Sequence, residues 1–154
     1  MERIVVATDG SPGGKRAVDT AARLAKAMGS DLVILTIGGS ITGADLRRLA
    51  SIDGDVSEIL ESASNQVLKQ AQKRAQRIGI AAPKLQIGWG DPAEAIIDTV
   101  RREKADILVV GRRGRGRLSG LLLGSVSQKL ASLAPCRLTY RRHPAIASCV
   151  SRAS

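Results

Sequence analysis

Glycines and arginines cluster in the last third of the chain, in a pattern that suits a phosphate-bearing ligand. Gly111 and Gly114 are followed, after nine residues, by Gly124 and Ser125. Glycine lets backbone N–H groups approach an anion closely, and a helix that begins at Ser125 would add its free N–H groups and its dipole. No acidic residue occurs from 107 to 154, and the intervening arginines are Arg112, Arg113, Arg115 and Arg117. The pattern indicates a polyphosphate site, but an ordinary turn, a capped helix and solvated arginines fit it as well.

Two other glycine patterns are weaker candidates for a phosphate site. Gly88, Gly90 and Ala93 have the spacing of the dinucleotide-binding fingerprint. No acidic residue ends the strand that follows, where that fingerprint needs a partner for the ribose. The pair Gly14-Lys15 resembles the end of a P-loop, but an arginine follows where that loop requires serine or threonine. We therefore prefer the pattern in the last third.

Charge is distributed unevenly over the 154 residues, whose formal net charge is +10. Residues 1–100 carry 12 basic and 12 acidic side chains, whereas residues 101–154 carry 12 basic side chains against Glu103 and Asp106. The basic third attracts anions, or it is a basic tail, or both. Because Trp89 and Tyr140 are the only aromatic residues, the chain lacks a platform on which nucleic-acid bases could stack. This composition argues against a nucleic-acid partner.

Several other classes are excluded by composition. Cys136 and Cys149 are too few for a disulfide framework and form no Cys-x-x-Cys pair. His143 is the single histidine, which argues against histidine-based metal sites and against Ser-His-Asp or Cys-His enzymes. No apolar run approaches the ~20 residues of a membrane span, and the start of the chain does not read as a secretory signal.

Strand and helix patterns alternate along the chain. Asp91, Pro92 and Glu94 form a strong helix start, as do Ser11 and Pro12. The predicted strands are 3–8, 32–37, 85–87, 106–111 and 136–141, and the predicted helices begin at Pro12, Val56, Pro92 and Ser125. The second helix should end at residue 78, and residues 38–55 read as a long connection with a short helix around 44–50. Strict alternation implies an α/β domain with a mostly parallel sheet.

Ligands of such sheets bind at the carboxyl ends of the strands, where the strand order switches. The sequence therefore directs attention to Asp9 after the first strand and to Gly111 after the fourth. Trp89 is predicted to be a packed loop residue rather than part of a ligand site. We expect one domain over residues 1–142 and a flexible C-terminal tail over 143–154.

The spacing Gly111-x2-Gly114-x9-Gly124-Ser125 resembles the nucleotide-binding signature of the universal stress protein family. Residues 4–11 resemble the first strand and acidic turn of that family, 90–96 its entry into the third helix, and 105–111 its fourth strand. The resemblance extends from residue 2 to about 142. It implies a Rossmann-like domain with a five-stranded parallel sheet, in the order 3-2-1-4-5, and helices on both faces. It also implies a homodimer and a cytoplasmic role in stress response.

The intact glycine signature resembles the ATP-binding members of the family, which implies ATP as the ligand, with AMP or a cyclic nucleotide as alternatives. By this resemblance, Ala7 and Ile37 would meet the adenine, and Asp9 would lie near the ribose or a Mg²⁺ ion bound to the phosphates. The start of the last helix and the loop before it would hold ribose and phosphates. The implied site is Ala7, Thr8, Asp9, Ile37, Gly111, Arg112, Gly114, Gly124, Ser125, Val126 and Ser127.

The last predicted strand departs from the family pattern. In the family this strand is a nearly continuous apolar edge that pairs across the dimer, but here Arg137, Arg141 and Arg142 interrupt it, and charge on an edge strand discourages pairing. No general base stands out, so hydrolysis of ATP should be slow or absent. The leading hypothesis is therefore an ATP-binding stress protein. The alternatives are a basic adaptor for nucleic acid or another anionic partner, and a slow ATP hydrolase or autophosphorylating enzyme.

Overall fold

The structure is a computed structural model that describes residues 2–38, 56–111, 125–133, 137–142 and 145–149. Its strands are β1 (Arg3–Ala7), β2 (Asp31–Gly38), β3 (Lys84–Trp89), β4 (Ile107–Gly111), β5 (Arg137–Arg142) and β6 (Ala145–Cys149). Its helices are α1 (Pro12–Met28), α2 (Val56–Ile78), α3 (Pro92–Glu103) and α4 (Ser125–Leu133). The predicted short helix around 44–50 lies outside the described residues.

One sheet has the strand order β3-β2-β1-β4-β5-β6. The first five strands in this order are parallel, and β6 runs antiparallel to β5. The predicted α/β class and the order 3-2-1-4 are confirmed, but the predicted count of five strands is wrong. The additional strand comes from residues 145–149, where small residues and a single isoleucine gave no strand signal. The domain boundary at residue 142 stays a prediction.

Apolar side chains of the strands point alternately to two helical layers. On one face, α1 and α2 cover a buried cluster that includes Ile4, Val6, Ile34 and Val109. On the other face, α3 and α4 cover Val5, Leu35, Leu108, Val110 and Leu130. Burial on both faces explains why β2 and β4 read as continuous apolar runs.

Helix ends follow the predicted chemistry. The Ser11 hydroxyl accepts a hydrogen bond from the Gly14 N–H at 3.1 Å, and Asp91 Oδ2 accepts one from the Glu94 N–H at 3.1 Å. Gly29 ends α1 in the left-handed region, at φ 64°. These capping interactions confirm the predicted starts of α1 and α3.

Helix α2 has the predicted bounds, but its buried face differs by one residue from the prediction. Ser64 is buried together with Leu68, Ala71 and Ala75, whereas Ala63, which the apolar periodicity placed in the core, is exposed. Arg74 joins this helix to α1 through two hydrogen bonds to the Asp19 carboxylate, at 2.9 and 2.6 Å. This bidentate pair also raises the pKa of Arg74.

Lys104 follows α3 in the left-handed region, at φ 51° and ψ 48°. It is the one non-glycine residue with positive φ in the part of the chain that the structure describes. Lys104→Gly is expected to raise the free energy of unfolding by about 0.5–1 kcal/mol, because glycine adopts this conformation without a steric cost. Urea denaturation measures the change. Arg101→Gly, at an exposed position inside the same helix, should instead lower stability by about 1 kcal/mol, and a loss with both variants would contradict the prediction.

Candidate functional site

The candidate site lies at the carboxyl edge of the sheet, between β1 and β4. Ala7 stands opposite Val110 in the parallel register, so the two strands end side by side. The chain leaves β1 toward β2 on one side, while β4 lies on the other side, and the strand order therefore switches at this point. In open α/β sheets a crevice forms at such a switch. The predicted positions after the first and fourth strands thus meet at one location.

The turn after β1 is held by the side chains of two predicted site residues. Asp9 Oδ1 accepts a hydrogen bond from the Ser11 N–H at 2.9 Å, and Thr8 Oγ1 accepts one from the Gly10 N–H at 3.3 Å. Gly10 has φ 76°, which a residue with a side chain rarely adopts. The Asp9 carboxylate therefore has a structural role in the turn. Its predicted contact with ribose or Mg²⁺ stays a prediction.

Glycines allow the first turn of α1 to pack directly on the ends of β1 and β4. A β-carbon on Gly14 would lie 2.6 Å from Thr8 Oγ1 and 2.8 Å from Asp9 Oδ1. One on Gly111 would lie 3.0 Å from the carbonyl carbon of Gly13. The sequence interpretation assigned Gly111 to an anion-binding loop, but in the structure its missing side chain makes room for α1. The part played by Gly14 was missed, although two glycines in the first turn of a helix are costly enough to signal a packing need.

Three predicted site residues form an apolar wall on one face of the sheet. Ala7, Ile37 and Val126 are partly buried, and all three pack against the cluster beneath α3 and α4. Ile37 also leans on β3, since a β-carbon on Gly88 would lie 2.9 Å from Ile37 Cδ1. The wall joins the ends of β1 and β2 to the first turn of α4, and a flat apolar group such as a base could pack on it.

The competing dinucleotide fingerprint has a structural explanation. Gly88 makes room for Ile37, as described above, and Gly90 adopts φ 94° in the turn before α3. Asp91 caps α3 and lies 3.7 Å from Lys129 Nζ, which ties the start of this helix to α4. These glycines therefore serve packing and the turn.

Helix α4 begins at Ser125, as the sequence predicts. Leu130 is fully buried and anchors the helix against the sheet. Because helices that follow parallel strands start at the carboxyl edge, the free N–H groups of α1, α3 and α4 gather at the same edge as the β1–β4 crevice. This edge favours an anionic ligand. Arg112, Gly114 and Gly124 lie outside the described residues, and the side chains of Ser125 and Ser127 are likewise not described.

Trp89 is the last residue of β3 and is 53% exposed. Its ring covers Gly38, the residue opposite it in the β2–β3 register. The expectation of a packed loop residue is therefore wrong in its location, since Trp89 belongs to a strand and ends at the carboxyl edge.

A charged cluster occupies the opposite, amino edge of the sheet, and sequence reasoning missed it. Glu103, at the end of α3, is 5% exposed. Its carboxylate accepts hydrogen bonds from Lys84 at 2.7 Å, from the Gln86 amide and from Arg3 at 3.4 Å. The Lys84 ammonium, followed by the Gln86 amide and the charge of Arg3, holds the pKa of Glu103 below its usual value, although burial opposes this. This cluster links strands and helix and lies away from the candidate site.

Comparison with known proteins identifies the family. The family model described as "Universal stress protein family" matches residues 1–140. The chain belongs to the universal stress protein family. Among curated relatives, universal stress protein YxiE of Bacillus subtilis is 30% identical over 143 residues, which cover 88% of this chain and 95% of that protein. A universal stress protein of Mycobacterium tuberculosis is 34% identical over 125 residues, covering 80% and 84%.

Solved structures show the same fold. The crystal structure of a universal stress protein in complex with cAMP matches with a TM-score of 0.72 and 28% identity, over 92% of this chain and 97% of that one. The family resemblance seen in the sequence is thus confirmed. Within the described ranges, no helix is long and apolar enough to span a membrane, and no three His, Cys, Asp or Glu residues lie together as a potential metal site.

Proposed function

We propose that this universal stress protein binds ATP at the carboxyl edge between β1 and β4, acts in the cytoplasm as a stress-response signalling protein, and hydrolyses ATP slowly or not at all. The observation that carries the proposal is the meeting of the β1 and β4 ends with an apolar wall and with the amino ends of three helices. A relative of the same fold, 28% identical, was crystallised with the adenine nucleotide cAMP, which supports this class of ligand. AMP and cyclic nucleotides remain alternatives to ATP.

Each part of the nucleotide has a matching feature in the proposed arrangement. The adenine would pack on the wall of Ala7 and Ile37, where backbone groups and aliphatic side chains can bind it without an aromatic partner. Ribose and phosphates would meet the glycine loop and the start of α4. The residues proposed for this second part are Gly111, Arg112, Gly114, Gly124, Ser125, Val126 and Ser127.

Mg²⁺ fits the proposal through the chemistry of its ligands. Mg²⁺ is usually held by one or two carboxylates together with the phosphates of the substrate, and Asp9 provides a carboxylate at this edge. When bound, the ion would neutralise phosphate charge. The described carboxylates nearby, Asp9 and Asp91, both hold helix starts through hydrogen bonds. Their engagement in these turns supports slow hydrolysis rather than general-base catalysis.

Nucleotide binding is tested by isothermal titration of the purified chain with ATP and Mg²⁺, and with AMP and cAMP in parallel. We expect saturable binding of at least one adenine nucleotide. Replacing both Gly124 and Ser125 by valine should abolish it, because two side chains would fill the approach to the phosphates. Ser132→Val, an exposed position in the same helix α4, is the matched control. The absence of saturable binding at millimolar nucleotide would overturn the proposal.

Trp89 provides a second readout, because it is the single tryptophan and ends at the same edge of the sheet. Its fluorescence should change on addition of nucleotide with the same midpoint as the titration. Phosphate release measured on the same samples tests slow hydrolysis. A release that is proportional to protein and is lost in Asp9→Ala would assign an enzyme instead.

We also propose a homodimer that forms at the end of the sheet opposite β3. The sequence interpretation placed this interface on residues 136–142. In the structure that strand lies between β4 and β6, so the last strand of the sheet is now β6. The oligomeric state is measured by light scattering coupled to size exclusion.

A further inference from the structure

Strand β6 closes the edge that the sequence predicted to be open. Both neighbours of β5 belong to the same chain, namely β4 on one side and β6 on the other. Residues 138 to 142 of β5 stand opposite residues 149 to 145 of β6 in an antiparallel register. A second copy cannot pair with β5 while β6 holds this position. The unpaired backbone groups at this end of the sheet therefore belong to β6.

The two open edges of the sheet differ in residue type. Edge strands avoid pairing with other chains when they carry charge, above all lysine, or proline. Strand β3 has both protections, since it starts at Lys84 directly after Pro83. Strand β6 has neither over its five residues, which read Ala-Ile-Ala-Ser-Cys. The edge of β6 is therefore the one that is suited to strand pairing.

Residue types also favour β6 over β5 as a self-pairing strand. In a two-fold antiparallel pairing of β5 about its midpoint, Arg137 of one copy would stand opposite Arg142 of the other, and like charges in that position destabilise a sheet. The same operation on β6 places Ala147 opposite itself and Ala145 opposite Cys149, with no charged residue in any pair. Identical strands related by a two-fold axis form an isologous interface.

We propose that a second copy of this chain pairs with β6, antiparallel and about a two-fold axis near Ala147, so that the two sheets become continuous. This inference rests on the homodimer proposed above and names its interface. It does not depend on the bound nucleotide, since β6 and the β1–β4 crevice are separated in the sheet by β5 and β4.

Disulfide scanning tests the pairing directly. In a full-length chain whose two native cysteines are replaced by serine, single cysteines are placed at positions 145 to 148 and oxidised mildly. Residues opposite each other in an antiparallel pair have Cα atoms about 4.5 or 5.5 Å apart, within the range that a disulfide spans. The position on the axis should therefore cross-link two copies most rapidly. We expect this for Ala147→Cys.

Thr139→Cys in β5 is the matched control, because residue 139 stands opposite Ser148 of its own chain. It should give no link between copies, whereas the double variant Thr139→Cys with Ser148→Cys should close a link within one chain. Cross-linking of Thr139→Cys between copies would place the interface on β5 and overturn the inference. A monomeric chain, or a dimer that no cysteine from 145 to 148 captures, would overturn it as well.

Ala147→Lys provides a second, independent test in the native cysteine background. It places two ammonium groups opposite each other on the proposed axis, so light scattering should report one chain per particle instead of two. ATP titration of the same sample separates the two proposals. Loss of the dimer with unchanged nucleotide binding is the expected result, and an unchanged dimer would count against β6. Nucleotide binding absent from the native chain would count against the proposed function alone.

Discussion

Gly14→Ala is expected to destabilise the protein by about 1–2 kcal/mol and to weaken nucleotide binding at least about tenfold. The new methyl group would lie 2.6 Å from Thr8 Oγ1 and 2.8 Å from Asp9 Oδ1. Both atoms already accept hydrogen bonds within the turn after β1, so neither can move without loss of a bond. Overpacking of this kind typically costs about 1–3 kcal/mol.

Helix propensity alone predicts the opposite sign for this substitution. Alanine stabilises a helix interior by roughly 0.5–1 kcal/mol relative to glycine, and Gly14 lies in the first turn of α1. The steric term should outweigh this gain because Gly14 is buried and its neighbours include the backbone nitrogen of Asp9 at 3.2 Å. A stability equal to or above that of the native chain would show that the turn yields easily.

Urea denaturation and ATP titration measure the two effects of Gly14→Ala. A double-mutant cycle with Thr8→Ala identifies the cause, since removal of Oγ1 eliminates the shorter of the two contacts. The double variant should be more stable than the sum of the two single changes predicts. If the changes are additive, the loss does not arise from this contact. The effect on binding rests on the proposed site, and the effect on stability does not.

Glu103→Gln is expected to lower the free energy of unfolding at pH 7 by about 2–3 kcal/mol. The buried carboxylate accepts hydrogen bonds from two charged side chains and one amide, and a hydrogen bond to a charged group contributes about 1.5–3 kcal/mol. The donors Lys84, Gln86 and Arg3 come from β3 and β1. A neutral amide cannot satisfy all of them, and α3 would lose its electrostatic attachment to the sheet.

The effect of Glu103→Gln should depend on pH in a defined direction. The pKa of Glu103 is lowered in the folded protein from the ordinary value of 4.5. A group with a depressed pKa stabilises the fold at pH values above its unfolded pKa, and this contribution is lost as the pH falls through the folded pKa. The difference between the variant and the native chain should therefore be constant above about pH 5.5 and shrink below pH 4.5.

Chemical denaturation between pH 3 and 8 tests this prediction. Asp98→Asn is the matched control, because Asp98 is an exposed carboxylate on the same helix, and surface substitutions usually change stability by less than about 0.5 kcal/mol. A difference that persists unchanged at pH 3 would show that packing, and not the ionised carboxylate, accounts for the role of Glu103.

The sequence was most informative where the signal is local. The bounds of α2 at Val56 and Ile78 were predicted to the residue, because an apolar periodicity and a terminal glycine lie within the segment itself. The starts of α1 and α3 were predicted from Ser11 and Asp91, whose side chains cap N–H groups three residues away. The buried strands β2 and β4 were found because burial on both faces leaves continuous apolar runs.

The sequence was least informative where distant segments meet. Arg3 and Glu103 are separated by 100 residues, yet they share a hydrogen bond in the amino-edge cluster. Nothing within α3 distinguishes Glu103 from the exposed residues beside it, since its burial depends on β3 and β1. Strand β6 was missed for a related reason, because its five small residues become a strand only when the edge of β5 is available for pairing.

For the candidate site, the sequence by itself determined the residue types and the edge of the sheet. Alternating strands and helices place Asp9 and Gly111 at carboxyl ends, and the glycine spacing indicates the family. Only the tertiary structure decided that Gly14 and Gly111 make room for α1, that Ala7, Ile37 and Val126 form one wall, and that β6 closes β5. Periodicity and capping are encoded over a few residues, whereas close approach and strand pairing depend on segments that folding brings together.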